Sequence, residues 1–205
     1  QEQAIFFNGQ GGEYLVTLTA INKKNAFVSV NHFEASDRTP PFKVILGQVM
    51  SKGDRMDYAI QKATELGVGT IQLLTSDRCE MRLKYERDQK KLEHWQSVAI
   101  AACEQCGMNR IPKIIPPIHV NDWLISELPN SRFVLAPNKD QKNVLLDSSD
   151  NIALLIGPEG GLSEAEIDFA NQNHFQNWCI GDRILRTETA PVVALSILNY
   201  HFSSK

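Results

Sequence analysis

The order of apolar segments along residues 42–202 restricts the fold more than any other feature of this chain. Segments with helical spacing of apolar residues alternate there with short, almost continuously apolar stretches, at 42–49, 70–74, 133–136, 152–156 and 178–180. Strands that are apolar on both faces are typical of a parallel sheet covered by helices on each side. The sequence therefore predicts an α/β fold with a mostly parallel sheet, and ligands of such sheets bind beyond the carboxyl ends of the strands.

Helices are predicted from the spacing of apolar residues and from the residues that begin and end each segment. The first covers 54–66 and ends at Gly67. A long helix covers 87–106, a short one covers 122–128, and an apolar one covers 192–202. The later strands are each followed by a turn and a helical pattern, as in the repeating unit of a parallel sheet.

Residues 1–34 have a different pattern, in which apolar and polar residues alternate between turns rich in glycine and asparagine. This alternation predicts three antiparallel strands. Three strands are too few for an independently stable unit, so we expect them to pack on the rest of the chain or to be the remnant of a larger β-domain. Because the chain begins at Gln1 and not at methionine, we expect its amino-terminal end to be incomplete. A linker at 37–41 divides the chain into predicted domains at 1–38 and 39–205.

Composition disfavours several classes of protein. No apolar run approaches the roughly 20 residues that span a bilayer, and no secretory leader is recognisable, so a cytoplasmic protein is expected. Four cysteines in 205 residues do not make a disulfide framework. Cys103 and Cys106 form a C-x-x-C without a second pair of ligands, so we interpret them as helix residues and predict no metal site. The net charge of −3 indicates no global attraction to nucleic acid, which leaves a local basic patch.

The first candidate ligand loop is the glycine-rich turn at 157–162, which follows the strand predicted at 152–156. Glycines at a strand-to-helix turn let the backbone approach a ligand closely and present its amides. Ser163 and Glu166 have the spacing of a capping box that begins the next helix. The loop matches neither a Walker A motif nor G-x-G-x-x-G, which disfavours phosphate binding. A ligand loop and a plain tight turn both fit this sequence.

A second loop connects the last predicted strand to the last predicted helix. Thr187 or Thr189 suits the cap of that helix, and Pro191 suits its first turn. Arg186 and Glu188 lie at the start of the helix, where a side chain can face a ligand, although a solvated surface pair has the same sequence. Since two consecutive strand ends carry such loops, we interpret the two loops as one ligand site.

These loops resemble the cofactor loops of the RsmE family of ribosomal RNA uridine-N3 methyltransferases, which belong to the SPOUT class. The resemblance covers essentially the whole chain in order, through motifs at 47–49 (GQV), 60–62 (IQK), 65–68 (ELGV), 77–79 (DRC), 101–106 (AACEQC), 109–110 (NR), 157–162 (GPEGGL) and 185–190 (LRTETA). It implies a SPOUT trefoil-knot methyltransferase domain, whose carboxyl-terminal segment threads through an earlier loop, preceded by a partial PUA-like β-domain.

The resemblance also implies a reaction and the residues that perform it. The expected cofactor is S-adenosyl-L-methionine, and the expected acceptor is N3 of a uridine in small-subunit (16S) ribosomal RNA, either naked or in the 30S particle. Arg186 is expected to stabilise negative charge on the uracil, and Glu188 to act as the base or to orient Arg186. The cofactor pocket is expected to contain Leu135, Ala136, Pro137, Ile156, Gly157, Pro158, Glu159, Gly160, Gly161, Ile180, Gly181, Leu185, Arg186, Thr187, Thr189 and Ala190.

RNA contact and assembly are less closely defined by the sequence. The candidate RNA-binding cations are Lys52, Arg55, Arg78, Arg82 and Arg110. Acidic residues are mixed with the basic ones at 78–91, so a solvated helix face is the alternative there. A homodimer is implied by the resemblance, although the apolar residues of the last helix suit a monomer core equally well. Two rival functions remain, a dinucleotide-dependent α/β enzyme and a non-catalytic RNA-binding factor.

Overall fold

The computed structural model describes residues 2–81, 85–136 and 151–203. Along the chain its elements are β1 (Gln3–Phe6), β2 (Glu13–Ile21), β3 (Ala26–Glu34), β4 (Lys43–Val49), α1 (Asp54–Glu65), β5 (Thr70–Thr75), α2 (Tyr85–Cys106), β6 (Lys113–His119), α3 (Val120–Leu124), β7 (Ser131–Leu135), β8 (Asn151–Ile156), α4 (Glu164–Gln172), β9 (Gln176–Asn177) and α5 (Thr189–Ser203).

The larger sheet has six strands in the order β6-β5-β4-β8-β7-β9, and neighbouring strands are parallel throughout. The predicted α/β fold with a mostly parallel sheet is therefore confirmed. The chain moves outward from β4 to β5 and β6, crosses to β7, and returns to β8 beside β4. The direction of winding thus reverses at the boundary between β4 and β8, and ligands of open parallel sheets bind in the crevice at such a switch point.

Helices cover both faces of this sheet. On one face, α1, α2 and α5 bury Met56, Trp95 and Leu198 against the strands. On the other face, α3 and α4 bury Trp123 and Ala170. Full burial of a large apolar side chain contributes about 1.5–3 kcal/mol relative to exposure. Packing on both faces holds the strand ends, and the loops that follow them, in defined positions.

The strand β6 was not predicted from the sequence. Its segment KIIPPIH contains Pro116 and Pro117, which interrupt the apolar pattern. Proline cannot donate a backbone hydrogen bond and is therefore tolerated in a sheet mainly at an edge. β6 is an edge strand that pairs only with β5 among the described strands, which accommodates both prolines.

The strand predicted at 178–180 is wrong, because β9 consists of Gln176–Asn177 alone. The last backbone bond to the sheet runs from Trp178 N–H to the Val134 carbonyl at 2.8 Å. The indole of Trp178 then packs against Phe133, with ring centroids 5.5 Å apart. The apolar residues that suggested a strand belong instead to a segment that leaves the sheet while packing on its core.

The predicted helices are present, with some of their ends shifted. α1 and α2 lie close to the predicted ranges, and α3 ends at Leu124 and not at residue 128. α5 begins at Thr189, so the loop before it is shorter than predicted. The capping prediction for Thr187 is wrong, because its hydroxyl donates to the Gly157 carbonyl at 2.7 Å.

The three predicted strands at the start of the chain form a separate antiparallel sheet in the order β1-β2-β3. As expected, this sheet packs on the rest of the chain: Gln10 forms an antiparallel bridge with Arg110, and Gly11 N–H donates to the Asn109 carbonyl at 2.9 Å. The division into domains at residue 38 stays a prediction. Among the described residues, no helix is both long and apolar enough to cross a membrane.

Candidate active site at the carboxyl edge of the sheet

Three neighbouring strands end side by side at the switch point. In the sheet register, Gln48 of β4 lies opposite Ile156 of β8, and Ile156 lies opposite Leu135 of β7. The loops that follow these strands therefore leave the sheet next to one another. Two of the predicted cofactor residues, Leu135 and Ile156, are the last residues of their strands at this edge, and Ala136 follows Leu135 in the chain.

The glycine-rich loop after β8 is a compact turn. Gly161 N–H donates to the Pro158 carbonyl at 2.9 Å, and Gly161 has a φ of 69°, a conformation that favours glycine. A side chain at Gly157 would press on Leu162, since an added Cβ would lie 3.1 Å from its Cγ. The backbone conformation and the packing thus both require glycine in this loop.

The capping box predicted after this loop is confirmed. Ser163 Oγ accepts from Glu166 N–H at 3.2 Å, and a Glu166 carboxylate oxygen accepts from Ser163 N–H at 2.7 Å. The second Glu166 oxygen accepts from the backbone N–H of Asp77 at 2.9 Å. Glu166 therefore attaches the start of α4 to the segment after β5, which fixes the far side of the glycine-rich loop.

Thr187 joins the two motif loops to the central strand. Its hydroxyl donates to the Gly157 carbonyl at 2.7 Å and accepts from Gln48 Nε2 at 3.1 Å. Thr187 and Gln48 are both buried. The prediction that the two loops form one site is supported by this contact, because residues far apart in the chain meet at the end of β4.

Two arginines from different elements contact the glycine-rich loop. The Arg55 guanidinium, on the first turn of α1, lies 2.8 Å from a Glu159 carboxylate oxygen and 4.0 Å from a Glu188 oxygen. Arg78, after β5, donates to the carbonyls of Gly160 and Leu162 at 3.1 and 3.4 Å. Both cations were predicted to bind RNA, a role that stays a prediction; the structure shows that they contact the loop.

The predicted catalytic pair is placed on the same loop but in different environments. Arg186 is exposed, and its guanidinium forms no ion pair with any described residue. Glu188 has only 14% of its side chain exposed. Its Oε2 is buried and has no hydrogen-bond partner among the described residues. The pair therefore offers a free cation and a carboxylate with one unsatisfied acceptor.

Most of the remaining predicted cofactor residues lie on the second loop or at the start of α5. Ile180 and Leu185 are half-buried against the core, and Ala190 is buried at the start of α5. Gly181 has a φ of 70°, as glycine readily adopts. Thr189 N–H donates to the Arg186 carbonyl at 2.9 Å, closing the first turn into the helix. Of the other predicted positions, Pro158 is buried in the loop, and Pro137 lies outside the described residues.

Of the other predicted RNA-binding cations, Lys52 and Arg110 each form an ion pair with a carboxylate. Lys52 pairs with Glu80 at 2.6 Å on the surface, a contact that raises the pKa of Lys52 and lowers that of Glu80. Arg110 pairs with Asp37 at 2.7 Å at the junction with the small sheet, on the opposite edge from the cofactor loops. Arg82 lies outside the described residues. RNA contact by these cations stays a prediction.

The sequence analysis did not assign a role to Gln48 or Ser51, which belong to this edge. Each keeps one buried side-chain oxygen without a hydrogen-bond partner among the described residues, as does Ser76 after β5. A buried polar group without a partner costs about 1–3 kcal/mol, so such groups are suited to meeting a ligand. The available signal was a glutamine inside an otherwise apolar strand, KVILGQV.

One group of side chains has the spacing of a metal site: Asp77, His119 and Glu166 place ligand atoms within 4.8 Å of one another. Several of these atoms already have protein partners. Ser163 Oγ donates to Asp77, and His119 Nδ1 accepts from Asn121 N–H at 3.2 Å, in addition to the two bonds of Glu166. These bonds account for the cluster as a structural link around the α3 and α4 helix starts.

The C-x-x-C pair lies within α2. Cys103 is buried, and burial raises its pKa to about 11. Cys106 is exposed, and both cysteines are helix residues, as the sequence predicts. A thiol with so high a pKa is a poor nucleophile at neutral pH, which agrees with a structural role for Cys103.

Comparison with known proteins gives consistent results. The RNA methyltransferase domain family matches residues 38–199. A ribosomal RNA small subunit methyltransferase E of Buchnera aphidicola (subsp. Schizaphis graminum) is 35% identical over 198 residues, which are 96% of this chain and 80% of that protein. A methyltransferase of Legionella pneumophila, solved with bound SAM, has a TM-score of 0.92 at 36% identity, over 98% of this chain and 83% of that one. A ribosomal RNA small subunit methyltransferase E of Neisseria gonorrhoeae, bound to S-adenosyl methionine, has a TM-score of 0.91 at 35% identity, over 98% and 84%.

Proposed function

The chain belongs to the ribosomal RNA small subunit methyltransferase E family, and on that premise we propose that it methylates N3 of a uridine in small-subunit ribosomal RNA. It is an RNA methyltransferase, and S-adenosylmethionine is its cofactor. The acceptor atom and the choice of uridine are the proposal. The Thr187 bridge supports a cofactor site at the switch point of the sheet, because it brings both motif loops there. The observation that carries the choice of uridine N3 is that Arg186 and Glu188 lie on the same loop as this bridge.

The residues at this edge fit S-adenosylmethionine. When bound, the cofactor supplies an electrophilic methyl group on a sulfonium. The glycine-rich loop presents backbone amides, and Ile156, Ile180 and Leu185 present apolar surface. The unsatisfied oxygens of Gln48 and Ser51 are acceptors that a ligand's amino or hydroxyl groups would satisfy.

Arg186 and Glu188 are suited to the two tasks that a uracil imide requires. N3 must lose its proton, and negative charge then develops on the neighbouring oxygens. The exposed guanidinium of Arg186 is available to donate hydrogen bonds to those oxygens. Glu188 Oε2 is a buried acceptor that has no partner within the described part of the chain, so it is our candidate to receive the N3 proton. Their proximity along one loop holds base and cation against the same ring.

We also propose the finer architecture and assembly of the family. The path of residues 178–188, which returns from β9 to the gap between β4 and β8, supports a knotted carboxyl-terminal segment. The small antiparallel sheet is proposed to be part of a PUA-like domain. Ile184, with 86% of its surface exposed on the cofactor loop, supports a homodimer in which this loop meets a partner subunit. The proposed compartment is the cytoplasm, with the 30S particle or its RNA as substrate.

The decisive experiment has two stages. Calorimetric titration of the protein with S-adenosylmethionine, with NAD as the comparison ligand, tests the cofactor. Labelled methyl transfer to 16S RNA and to 30S particles from cells lacking this modification, followed by nucleoside analysis, tests the product. We expect binding of S-adenosylmethionine alone and a single 3-methyluridine. Binding of NAD would favour a dinucleotide enzyme, and cofactor binding without methyl incorporation would favour a non-catalytic RNA factor.

A further inference from the structure

We propose that Arg55 is a positioning residue that couples the two cofactor loops, and that its effect is on cofactor affinity and not on RNA affinity. The proposal rests on the function proposed above. Its basis is one guanidinium placed between Glu159 of the glycine-rich loop, at 2.8 Å, and Glu188 of the second loop, at 4.0 Å. No other described cation forms an ion pair with either of these carboxylates.

The position of Arg55 in the fold makes it suitable for this role. It lies on the first turn of α1, directly after β4, and α1 is held by buried residues such as Met56 and Ile60. The two loops leave the sheet side by side and lack regular secondary structure, so a contact to a packed helix limits how far they can separate. Thr187 joins the loops at their buried base, and Arg55 joins them nearer the surface.

The charges around Arg55 argue against an RNA phosphate as its main partner. One guanidinium faces two carboxylates. The charge of Glu159 also acts on Lys52, but Lys52 is itself paired with Glu80, so carboxylates outnumber cations in this group. A phosphate at this place would meet the carboxylates of Glu159 and Glu188 at close range, and like charges repel each other. Arg78 differs, because it donates to neutral carbonyls and keeps its charge uncompensated.

The contact also bears on Glu188. One oxygen of this carboxylate faces Arg55, and the other is buried without a partner. At 4.0 Å the contact is an ion pair without a hydrogen bond, so Arg55 attracts Oε1 of Glu188 and favours Oε2 as the oxygen that is available in the site. Loss of the guanidinium would let the carboxylate rotate, which would disturb the second loop without removing any group that touches the ligand.

The test compares Arg55→Ala, Arg55→Lys, Glu159→Gln and the double variant Arg55→Ala/Glu159→Gln. Lys43→Ala is the control, because it removes one exposed positive charge from β4 at the opposite edge of the sheet. Calorimetry gives the affinity for S-adenosylmethionine, and filter binding at several salt concentrations gives the affinity for 16S RNA. Far-UV circular dichroism and the melting temperature confirm that each variant is folded.

We expect Arg55→Ala to weaken S-adenosylmethionine binding about three- to tenfold, as for the loss of a coupled contact. RNA affinity should stay within about twofold of the wild type, with the same salt dependence. Arg55→Lys should recover part of the loss, since one ammonium can face only one carboxylate well. Because Glu159 acts through Arg55, the double variant should bind the cofactor no more weakly than Arg55→Ala.

Three results would overturn the proposal. Unchanged cofactor affinity with weaker RNA binding, and a salt slope reduced by about one, would make Arg55 a phosphate contact. Additive losses in the double variant would mean that Glu159 acts on the ligand by itself. A loss shared by Lys43→Ala would mean a general charge effect. Failure of the wild type to bind S-adenosylmethionine would instead contradict the proposed function, so the two failures are distinguishable.

Discussion

Buried polar groups have different hydrogen bonding at the two ends of the strands of the larger sheet, called here the amino edge and the carboxyl edge. At the amino edge, where the small sheet attaches, Asn109 is fully buried and uses both ends of its amide: Nδ2 donates to the Ser36 carbonyl at 2.9 Å, and Oδ1 accepts from Arg38 N–H at 3.3 Å. At the carboxyl edge, Gln48 and Glu188 each keep a buried oxygen without a partner among the described residues. At the amino edge, the hydrogen bonds of the buried polar groups are satisfied within the described residues, apart from that of the Ser36 hydroxyl. At the carboxyl edge, acceptors remain available for a ligand.

The difference in hydrogen bonding between the two edges gives different meanings to two similar ion pairs. Arg38 pairs with Glu13 at 2.6 Å at the junction, and Arg55 pairs with Glu159 at the site, so both edges contain an arginine–carboxylate contact. Only the second contact joins two loops that flank unsatisfied acceptors. An exposed ion pair contributes about 0–1 kcal/mol to stability, so its functional meaning comes from what it positions.

The largest expected effect is at Arg186. Arg186→Ala should lower kcat about 10²- to 10³-fold, as for loss of one donor to developing negative charge. S-adenosylmethionine affinity should fall much less than kcat, because the guanidinium is proposed to act on the uracil oxygens and forms no ion pair with any described residue. Steady-state methylation of 30S particles, with calorimetry of the cofactor, measures both quantities.

Arg183→Ala is the matched control, since Arg183 is exposed on the same loop and lies outside the proposed machinery. Equal losses of kcat in the two variants would mean that the effect arises from the positive charge of the loop in general and not from Arg186. A normal kcat for Arg186→Ala would remove Arg186 from the mechanism.

The next effect is at the Thr187 bridge. Thr187→Val keeps the shape of the side chain but leaves the Gly157 carbonyl without the hydroxyl donor, and it removes one of the two hydrogen bonds of Gln48 Nε2, which keeps its bond to the Val49 carbonyl. The free energy of unfolding should fall by about 1–3 kcal/mol, and cofactor affinity should fall about tenfold. Ser196→Ala is the control, because it removes a hydroxyl–carbonyl bond of the same length, 2.7 Å, from an exposed face of α5. Comparable losses in both variants would deny the bridge any special role.

The corresponding change at the amino edge should separate stability from binding. Asn109→Ala removes two buried hydrogen bonds, so the free energy of unfolding should fall by about 1–3 kcal/mol. Cofactor affinity should stay within about twofold, because the junction lies at the other end of the strands. Thermal unfolding and calorimetry test this pair of expectations. A tenfold loss of cofactor affinity would show that the amino edge is coupled to the cofactor site and does not act on stability alone.

The smallest expected effect concerns acid stability at the junction. Hydrogen bonds from the Thr39 hydroxyl and backbone N–H, together with Arg110, lower the pKa of Asp37 from 3.8 to about 2. Because the folded-state pKa is lowered, the stabilisation is complete above about pH 4 and is lost as the pH falls through about 2. NMR titration of the Asp37 carboxyl should show the low value, and Thr39→Val should raise it. A midpoint near 3.8 in the wild type would mean that these bonds do not persist in solution.

Much of the fold was predictable because apolar periodicity is a local property. The segments of β4, β5 and β8 are short and apolar, and the stripe of α1 has helical spacing, so each was recognised without knowledge of its neighbours. β6 was missed because two prolines remove the local signal, and only its place at the edge makes them acceptable. β9 was misplaced because the apolar side chain of Trp178 packs on Phe133, whereas backbone pairing with the sheet ends at the N–H of Trp178.

The candidate site was predicted in outline, and its contacts were not. The glycine-rich loop, the capping box at Ser163 and the carboxyl end of the sheet follow from sequence spacing. The link between Thr187 and Gln48 joins residues separated by 139 positions, and no local pattern indicates such a contact. The same holds for Arg55, which was assigned to RNA from its charge because its carboxylate partners lie more than 100 positions away.

The amino-acid sequence by itself determined the order of most strands and helices, apart from β6 and β9, together with the apolar faces that pack together and the two loop motifs that identify the family. These properties depend on neighbouring residues, whose spacing is written directly in the chain. Tertiary structure alone decided which strand ends lie side by side, which buried oxygens remain without a partner, and which carboxylates surround Arg55. Those properties depend on distances between segments remote in sequence, and such distances exist only once the sheet has formed.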